Sequence, residues 1–188
     1  TNVRTPFLKI DRSPELMRRW MELAAFTPIF RTHEGLSPAH NAQPWTNNSD
    51  LHFFAQMGKL HFSLKAYFME LNKVAHQYGW PMVRHLWLQY PEDKETLAIE
   101  KQFMLGSELM MIPVLAAGQD SVKAYFPKGR WLHLLAQETI ESKGEWRTVA
   151  SPEGSPAAYV RDTNRGRQIR EKVPVECKRV EGVIRIVK

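Results

Sequence analysis

The sequence predicts a mixed α/β plus all-β chain. Residues 1–79 read as the carboxyl-terminal end of a barrel of alternating strands and helices, and residues 80–188 as an antiparallel β-sandwich. Three observations predict this. Phe26 to Gly35 passes from large apolar residues into Arg31, His33 and Glu34, with a helical pattern on either side. That is the pattern at the carboxyl end of a barrel strand, where active-site groups project into the pocket. One apolar seam at helical spacing then runs to Tyr78, and beyond Gly79 short apolar runs alternate with turn signals, as in a sandwich.

The first helix starts at Ser13-Pro14, where the serine caps free amides and the proline suits the first helical position. Leu16, Trp20, Leu23 and Ala24 fall on one face, which leaves Arg18, Arg19 and Glu22 to water. Thr27-Pro28 stops the helix near Phe26, and residues 28–31 form a buried strand. Residues 35–49, rich in Gly, Pro, Ser and Asn, are a long loop of the kind that shapes a barrel pocket. Phe53, Met57, Leu60, Leu64, Tyr67, Leu71, Val74 and Tyr78 then step by three or four along one helix that Gly79 ends. They read as core rather than as a cofactor box.

After Gly79 the strand-like runs are Met82–Tyr90, Leu109–Leu115, Val122–Phe126, Trp131–Leu134, Trp146–Ala150 and Ala157–Arg161, with turns at Pro127-Lys128-Gly129 and Pro152-Glu153-Gly154. Trp87 and Trp131 read as sandwich core or turn anchors.

Composition narrows the function. The chain is 43% hydrophobic and 24% charged, as in an ordinary globular protein, and it has no apolar run of bilayer length and no visible signal peptide. We expect no membrane partner and a cytoplasmic location. The chain opens at Thr1 rather than Met, which points to processing or truncation. Cys177 stands alone, which excludes an intrachain disulfide and a four-cysteine zinc site. It reads as an inert thiol in or near a strand. No His, Asp and Glu group has ligand spacing, so neither a metal nor a cofactor is expected. Residues 161–188 hold nine Lys and Arg against four Asp and Glu, +5 of the net +6. That run has no aromatic residue to stack on bases. Val183 to Val187 alternates like a strand with one solvated face, so nucleic acid is disfavoured as a partner.

Several segments resemble, in order, the carboxyl-terminal part of family 31 glycoside hydrolases, the family of α-glucosidases and α-xylosidases. Glu15-Leu16-Met17-Arg18-Arg19-Trp20 through Ala25-Phe26 resembles the penultimate barrel helix, and Phe30-Arg31-Thr32-His33 resembles the last strand with its substrate-binding Arg-x-His. Pro81-Met82-Val83-Arg84 with Tyr90-Pro91-Glu92-Asp93 resembles the sandwich entry. Gln102-Phe103-Met104-Leu105-Gly106, Pro113-Val114-Leu115 and Tyr125-Phe126-Pro127-Lys128-Gly129-Arg130-Trp131 follow. The match covers residues 12–161.

The resemblance implies a (β/α)8 TIM barrel followed by β-sandwich domains. It also implies a retaining α-glycosidase whose nucleophile and general acid/base are carboxylates about 5–5.5 Å apart. In motif order both lie upstream of Ser13, so no catalytic residue is expected in this segment. What it is expected to supply is substrate binding. Arg31 would lie at the bottom of the sugar subsite with its rigid fork of donors, or would pair with a structural carboxylate at the rim. His33, on the same strand face, would hydrogen-bond a sugar hydroxyl. Many family members have Arg-Asn-His-Asn here, whereas Arg31-Thr32-His33-Glu34-Gly35 resembles the sulfoquinovosidase subgroup, so Glu34 is placed at the pocket rim. His33-Glu34 does not begin a zinc-protease motif, because Ser37 stands where the second histidine would be. Asn41, Gln43 and Trp45 belong to the following loop, and Trp45 either stacks on a sugar or packs on the sandwich, with packing favoured.

The expected partners are a carbohydrate substrate and the remainder of the catalytic barrel. A non-catalytic carbohydrate-binding protein is the rival reading, and core-like aromatic spacing counts against it. Burying a large apolar side chain contributes roughly 1.5–3 kcal/mol, and a whole domain is stable by only about 5–15 kcal/mol. The seam therefore needs partners, and residues 1–79 are expected to be the end of a larger barrel. Expressed alone, the chain should lack the sharp cooperative melt of a folded monomer in calorimetry, and observing one would refute this.

Overall fold

A computed structural model describes residues 11–33 and 38–178. The chain forms α1 (Pro14–Ala24), α2 (Asn48–Ser63), α3 (Lys65–Tyr78), β1 (Val83–Arg84), α4 (Leu86–Gln89), β2 (Phe103–Leu105), β3 (Leu109–Ile112), β4 (Ser121–Phe126), β5 (Gly129–His133), β6 (Thr139–Ser142), β7 (Glu145–Ala150), β8 (Ala157–Arg161) and α5 (Asn164–Lys172). Short 3-10 turns lie at Pro38–His40, Lys94–Ala98 and Val175–Cys177.

Six strands make one antiparallel sheet in the order β1-β2-β3-β8-β5-β6, and β4 pairs with β7 in a separate ribbon. In the sheet's centre Leu109 faces Val160, Met110 faces Tyr159, Met111 faces Ala158 and Ile112 faces Ala157. Successive side chains leave opposite faces of a strand. Leu105, Leu109, Met111, Ala158 and Val160 accordingly join a core with Met17, Met21, Met57, Leu60, Leu64 and Leu71 of the helices. Met104, Met110, Ile112, Ala157 and Tyr159 join a second core with Ala124, Phe126 and Val149 of the ribbon. The molecule thus has three layers: helices, sheet and ribbon. A strand covered on both faces needs apolar residues at every position, which is why β3 and β8 read as unbroken apolar runs.

The helix caps follow the sequence. Ser13 Oγ accepts the Leu16 N–H at 3.1 Å, Asn47 Oδ1 accepts the Asp50 N–H at 2.9 Å, and Gly79 ends α3 with a left-handed φ of 73°.

Several expectations are corrected. Residues 28–31 are not a strand: no described strand pairs with them, and Ile29 is 69% exposed. A strand exists through hydrogen bonds to its neighbours, and the described residues supply none. The long helix is two helices, broken where Leu64 adopts φ −84°, ψ −1°. Its seam is nevertheless covered through Leu71, by α1 and the sheet's helical face, while Tyr78 stays exposed. The face of α1 is rotated from that expected. Met17, Met21 and Ala24 are buried with Arg19 and Glu22, and Leu16 and Trp20 are exposed. Met82–Tyr90 is only briefly a strand before it turns into α4, on which Trp87 is exposed, whereas Trp131 is core as expected. Two strands, β2 and β6, were not read as strands from the sequence, nor was α5 read as a helix. Residues 183–187 lie outside the described residues. Cys177 is buried as an unreactive thiol should be, but in a 3-10 turn, with burial pushing its pKa up to about 11.

At Gly106 the helical layer packs directly against the sheet. Its φ is +58°, and a Cβ there would overlap the Tyr67 hydroxyl and Leu71 Cδ2. The Tyr67 hydroxyl donates to the Leu105 carbonyl at 2.8 Å and accepts the Glu108 N–H at 3.2 Å. Gly106→Ala should therefore cost about 3 kcal/mol, from left-handed strain plus overpacking, and lower the urea midpoint of the full-length protein. An unchanged midpoint would contradict this packing.

Candidate functional site

Phe26 is fully buried, and Phe30 stacks on Phe54 and His61 with ring centroids 5.3 and 5.5 Å away. These rings anchor the chain as it leaves α1, and the following residues emerge at the surface. There Arg31 and His33 are both exposed and side by side, with Arg31 Nη2 3.4 Å from His33 Nδ1. That approach puts both side chains on one side of the segment. Among the described residues no carboxylate forms a salt bridge with Arg31. Apart from the Nη2 contact with His33, no hydrogen bond engages its guanidinium among the described residues.

Arg12 is the residue the sequence reading missed. Its Nη1 donates to the His33 carbonyl at 2.8 Å, its Nε to the Ala42 carbonyl at 2.9 Å and its Nη2 to Gln43 Oε1 at 3.1 Å. Its own N–H donates to Asn41 Oδ1 at 2.8 Å. One guanidinium thus holds the Arg31–His33 segment to the loop containing Asn41 and Gln43. An isolated arginine before a helix carries no local signal for that role, because its partners are 21 to 31 residues away.

Trp45, on the same loop, is 67% exposed. It does not pack on the sandwich, contrary to the favoured reading, because the loop lies on the helical side. Glu34 lies outside the described residues. Two concavities, one along α2 and α3 near Phe62 and Met69 and one beside α5, are lined by other residues. Arg31 and His33 thus form a surface pair rather than lining either. Among the described residues no three His, Cys, Asp and Glu side chains are placed to hold a metal ion, and no helix is long and apolar enough to cross a membrane.

Glu22 is the one described carboxylate whose pKa is pushed up, to about 7, by burial, with Arg19 opposing the shift. Its side chain is buried. Glu22 Oε2 accepts from Arg19 Nη1 at 2.9 Å and Oε1 accepts the Gly154 N–H at 2.6 Å. Arg19 also donates to the Ser151 and Gln119 carbonyls. The group therefore ties α1 to the loops of the ribbon.

What the described site can do is bind. An exposed guanidinium and imidazole side by side can hydrogen-bond hydroxyl oxygens, and no nucleophile paired with a base accompanies them. Residues 6–71 match the family described as glycosyl hydrolases family 31 TIM-barrel domain, and residues 79–164 match the glycosyl hydrolase family 31 C-terminal domain. The chain belongs to glycoside hydrolase family 31. It is 36% identical to a sulfoquinovosidase of Agrobacterium fabrum over 80% of this chain and 23% of that protein. It is 39% identical to mouse neutral alpha-glucosidase AB over 61% of this chain and 12% of that protein. Among solved structures, a family 31 sulfoquinovosidase from E. rectale with an aza-sugar inhibitor aligns with a TM-score of 0.84 at 28% identity, covering 89% of this chain and 25% of that one. A Flavobacterium johnsoniae dextranase with isomaltotriose gives 0.72 at 30% identity, over 79% and 18%. The chain thus spans about a quarter or less of these relatives. It combines the end of the family's TIM barrel with its β-sandwich domain.

The Glu22 shift has a defined sign. A carboxyl whose folded pKa is raised binds more protons in the native state, so stability falls as pH rises from about 4.5 to about 7. The melting temperature of full-length protein should show this decline and Glu22→Gln should flatten it. Parallel pH profiles would contradict it.

Proposed function

We propose that this chain is the carboxyl-terminal segment of a retaining α-glycosidase that hydrolyses a terminal α-linked glucoside-type sugar. In this reading Arg31 and His33 bind the sugar, Glu34 and Trp45 border its pocket, and the two catalytic carboxylates come from polypeptide that precedes these residues in the family's motif order. One carboxylate would attack the anomeric carbon while the other protonates the leaving oxygen, and water would then release the sugar from the covalent intermediate. Arg31 and His33 would hold hydroxyl oxygens of the ring through that sequence, favouring catalysis to the extent that their hydrogen bonds strengthen in the transition state.

The observation that carries this reading is the exposed Arg31–His33 pair, fastened by Arg12 to the Asn41–Gln43 loop, in a chain of family 31. Residues 1–79 would complete the barrel and 80–188 the sandwich. The exposed Leu16, Trp20 and Ile29 suit a surface that the rest of the barrel covers.

A narrower reading, the sulfoquinovosidase subtype, is favoured by Arg31-Thr32-His33-Glu34-Gly35 together with the two sulfoquinovosidases, from Agrobacterium fabrum and Escherichia coli, at 36% and 33% identity. Full-length protein assayed on chromogenic α-glucoside, α-xyloside and sulfoquinovoside substrates separates the two readings. No turnover of any of them would count against both. His33→Ala should lower kcat/KM by up to about tenfold, the loss of one hydrogen bond of about 0.5–1.5 kcal/mol. Unchanged kinetics would remove His33 from the sugar site.

A further inference from the structure

The basic surplus of residues 161–188 finds no use in sugar binding, yet the fold gathers part of it around one cavity. Where α5 packs on β8 beside the start of β5, a cavity of about 320 Å³ is lined by Arg130, Arg167, Arg170 and Lys178, with Asp162 and Glu171 as the lining carboxylates. Four cations against two anions leave a surplus of +2.

Asp162 is shared. It takes Arg130 Nε at 3.3 Å and Arg167 Nε at 2.5 Å, and Arg130 also reaches Glu141 at 4.0 Å. Both arginines are thus gripped by Nε, and among the described residues their Nη atoms make no hydrogen bond. Arg170 is locked differently. Its Nε donates to the His133 carbonyl at 2.8 Å and its Nη2 to the Ala136 carbonyl at 3.0 Å. These are neutral acceptors, so its charge stays uncompensated. Neither Arg170 nor Lys178 forms a salt bridge with a described carboxylate. The Lys178 ammonium is held below its usual range by burial first and then by Arg170, with Glu171 opposing.

Like charges held close together repel one another even at a surface where Arg130 and Arg167 remain more than half exposed, and an anion with several acceptor oxygens relieves that. Guanidinium forks with unused ends match the geometry of a tetrahedral oxyanion. The cavity far exceeds a single water's share of about 30 Å³, leaving room for a substituent on the anion.

We propose that this cavity binds a tetrahedral oxyanion of the phosphate or sulfate kind, free or as the terminal group of a sugar ester, between Arg130, Arg167 and Lys178, with Arg170 fixed behind them. The site is built within residues 130–178 and is independent of Arg31 and His33.

Isothermal titration of the full-length protein with sodium phosphate, sodium sulfate, glucose 6-phosphate and glucose, each at one fixed ionic strength, tests this. Phosphate or its ester should give saturable binding that glucose and matched sodium chloride do not. Arg167→Gln and Lys178→Gln should each weaken that binding about tenfold, as expected for losing one charge-assisted hydrogen bond. Lys123→Gln, on the ribbon, should not. The Lys178 side chain makes no hydrogen bond or salt bridge among the described residues, its only bond being the backbone N–H to the Val175 carbonyl, so its variant keeps the test interpretable if Arg167→Gln unfolds. Equal affinity for phosphate and glucose 6-phosphate would identify the free ion as sufficient, and binding of the ester alone would identify the sugar ester. No saturable binding of any anion, or binding unaltered by both variants, would overturn the proposal.

Discussion

The antiparallel pair β3–β8 sits between two apolar environments, and most of the architecture follows from that placement. Leu109, Met111, Ala158 and Val160 present one face to the helices, while Met110, Ile112, Ala157 and Tyr159 present the other to the ribbon. A sheet so placed has no solvated side on which to tolerate a polar residue, and a one-residue slip would exchange the two cores wholesale. Register is therefore fixed by packing from both directions. The helices cannot be detached from the sheet without exposing the core they share with it.

Polar contacts also tie the layers together, some of them buried in that shared core and some at its surface. Arg19 and Glu22 lie within the α1 interface, and the cost of desolvating them is offset by a mutual ion pair and by backbone partners at Ser151, Gln119 and Gly154. A buried pair contributes less through attraction than through fixing one arrangement. Here it sets the rotation of α1 against the ribbon loops. Arg18 extends the same tie at the surface by bridging Asp50 and Glu153. With α1 held in this way, the chain leaving it through Phe26 and Phe30 has a defined exit, and the Arg31–His33 pair follows at a fixed place.

How much was legible in the sequence differs from element to element. The caps at Ser13 and Gly79 were readable because they depend on backbone chemistry within a few residues. β4, β5, β7 and β8 were readable because turns delimit them. β2 and β6 are three and four residues long, too short for a periodic signal, and α5 is so polar that no apolar face announces it. The face of α1 was misread because Leu16-Trp20 and Met17-Met21 offer two apolar stripes one residue apart. Only the position of the sheet and the ribbon loops chooses between them. The buried strand expected at 28–31 failed for a related reason, since strand character belongs to a pair of segments rather than to one.

By itself the sequence determined the order of local structures, the break in texture near residue 80, the Arg31-x-His33 spacing and the likeness to family 31. All of these are encoded by neighbours in the chain or by motifs read linearly. Only the tertiary structure decided that Arg12 braces the site, that Arg19 and Glu22 are buried, that the long seam bends at Leu64, and that Arg130 and Lys178 meet across one cavity. Each of these depends on residues far apart in sequence brought within a few ångströms. The free energy of burial or pairing at such a contact is a property of the assembled pair, to which neither residue's local pattern gives access.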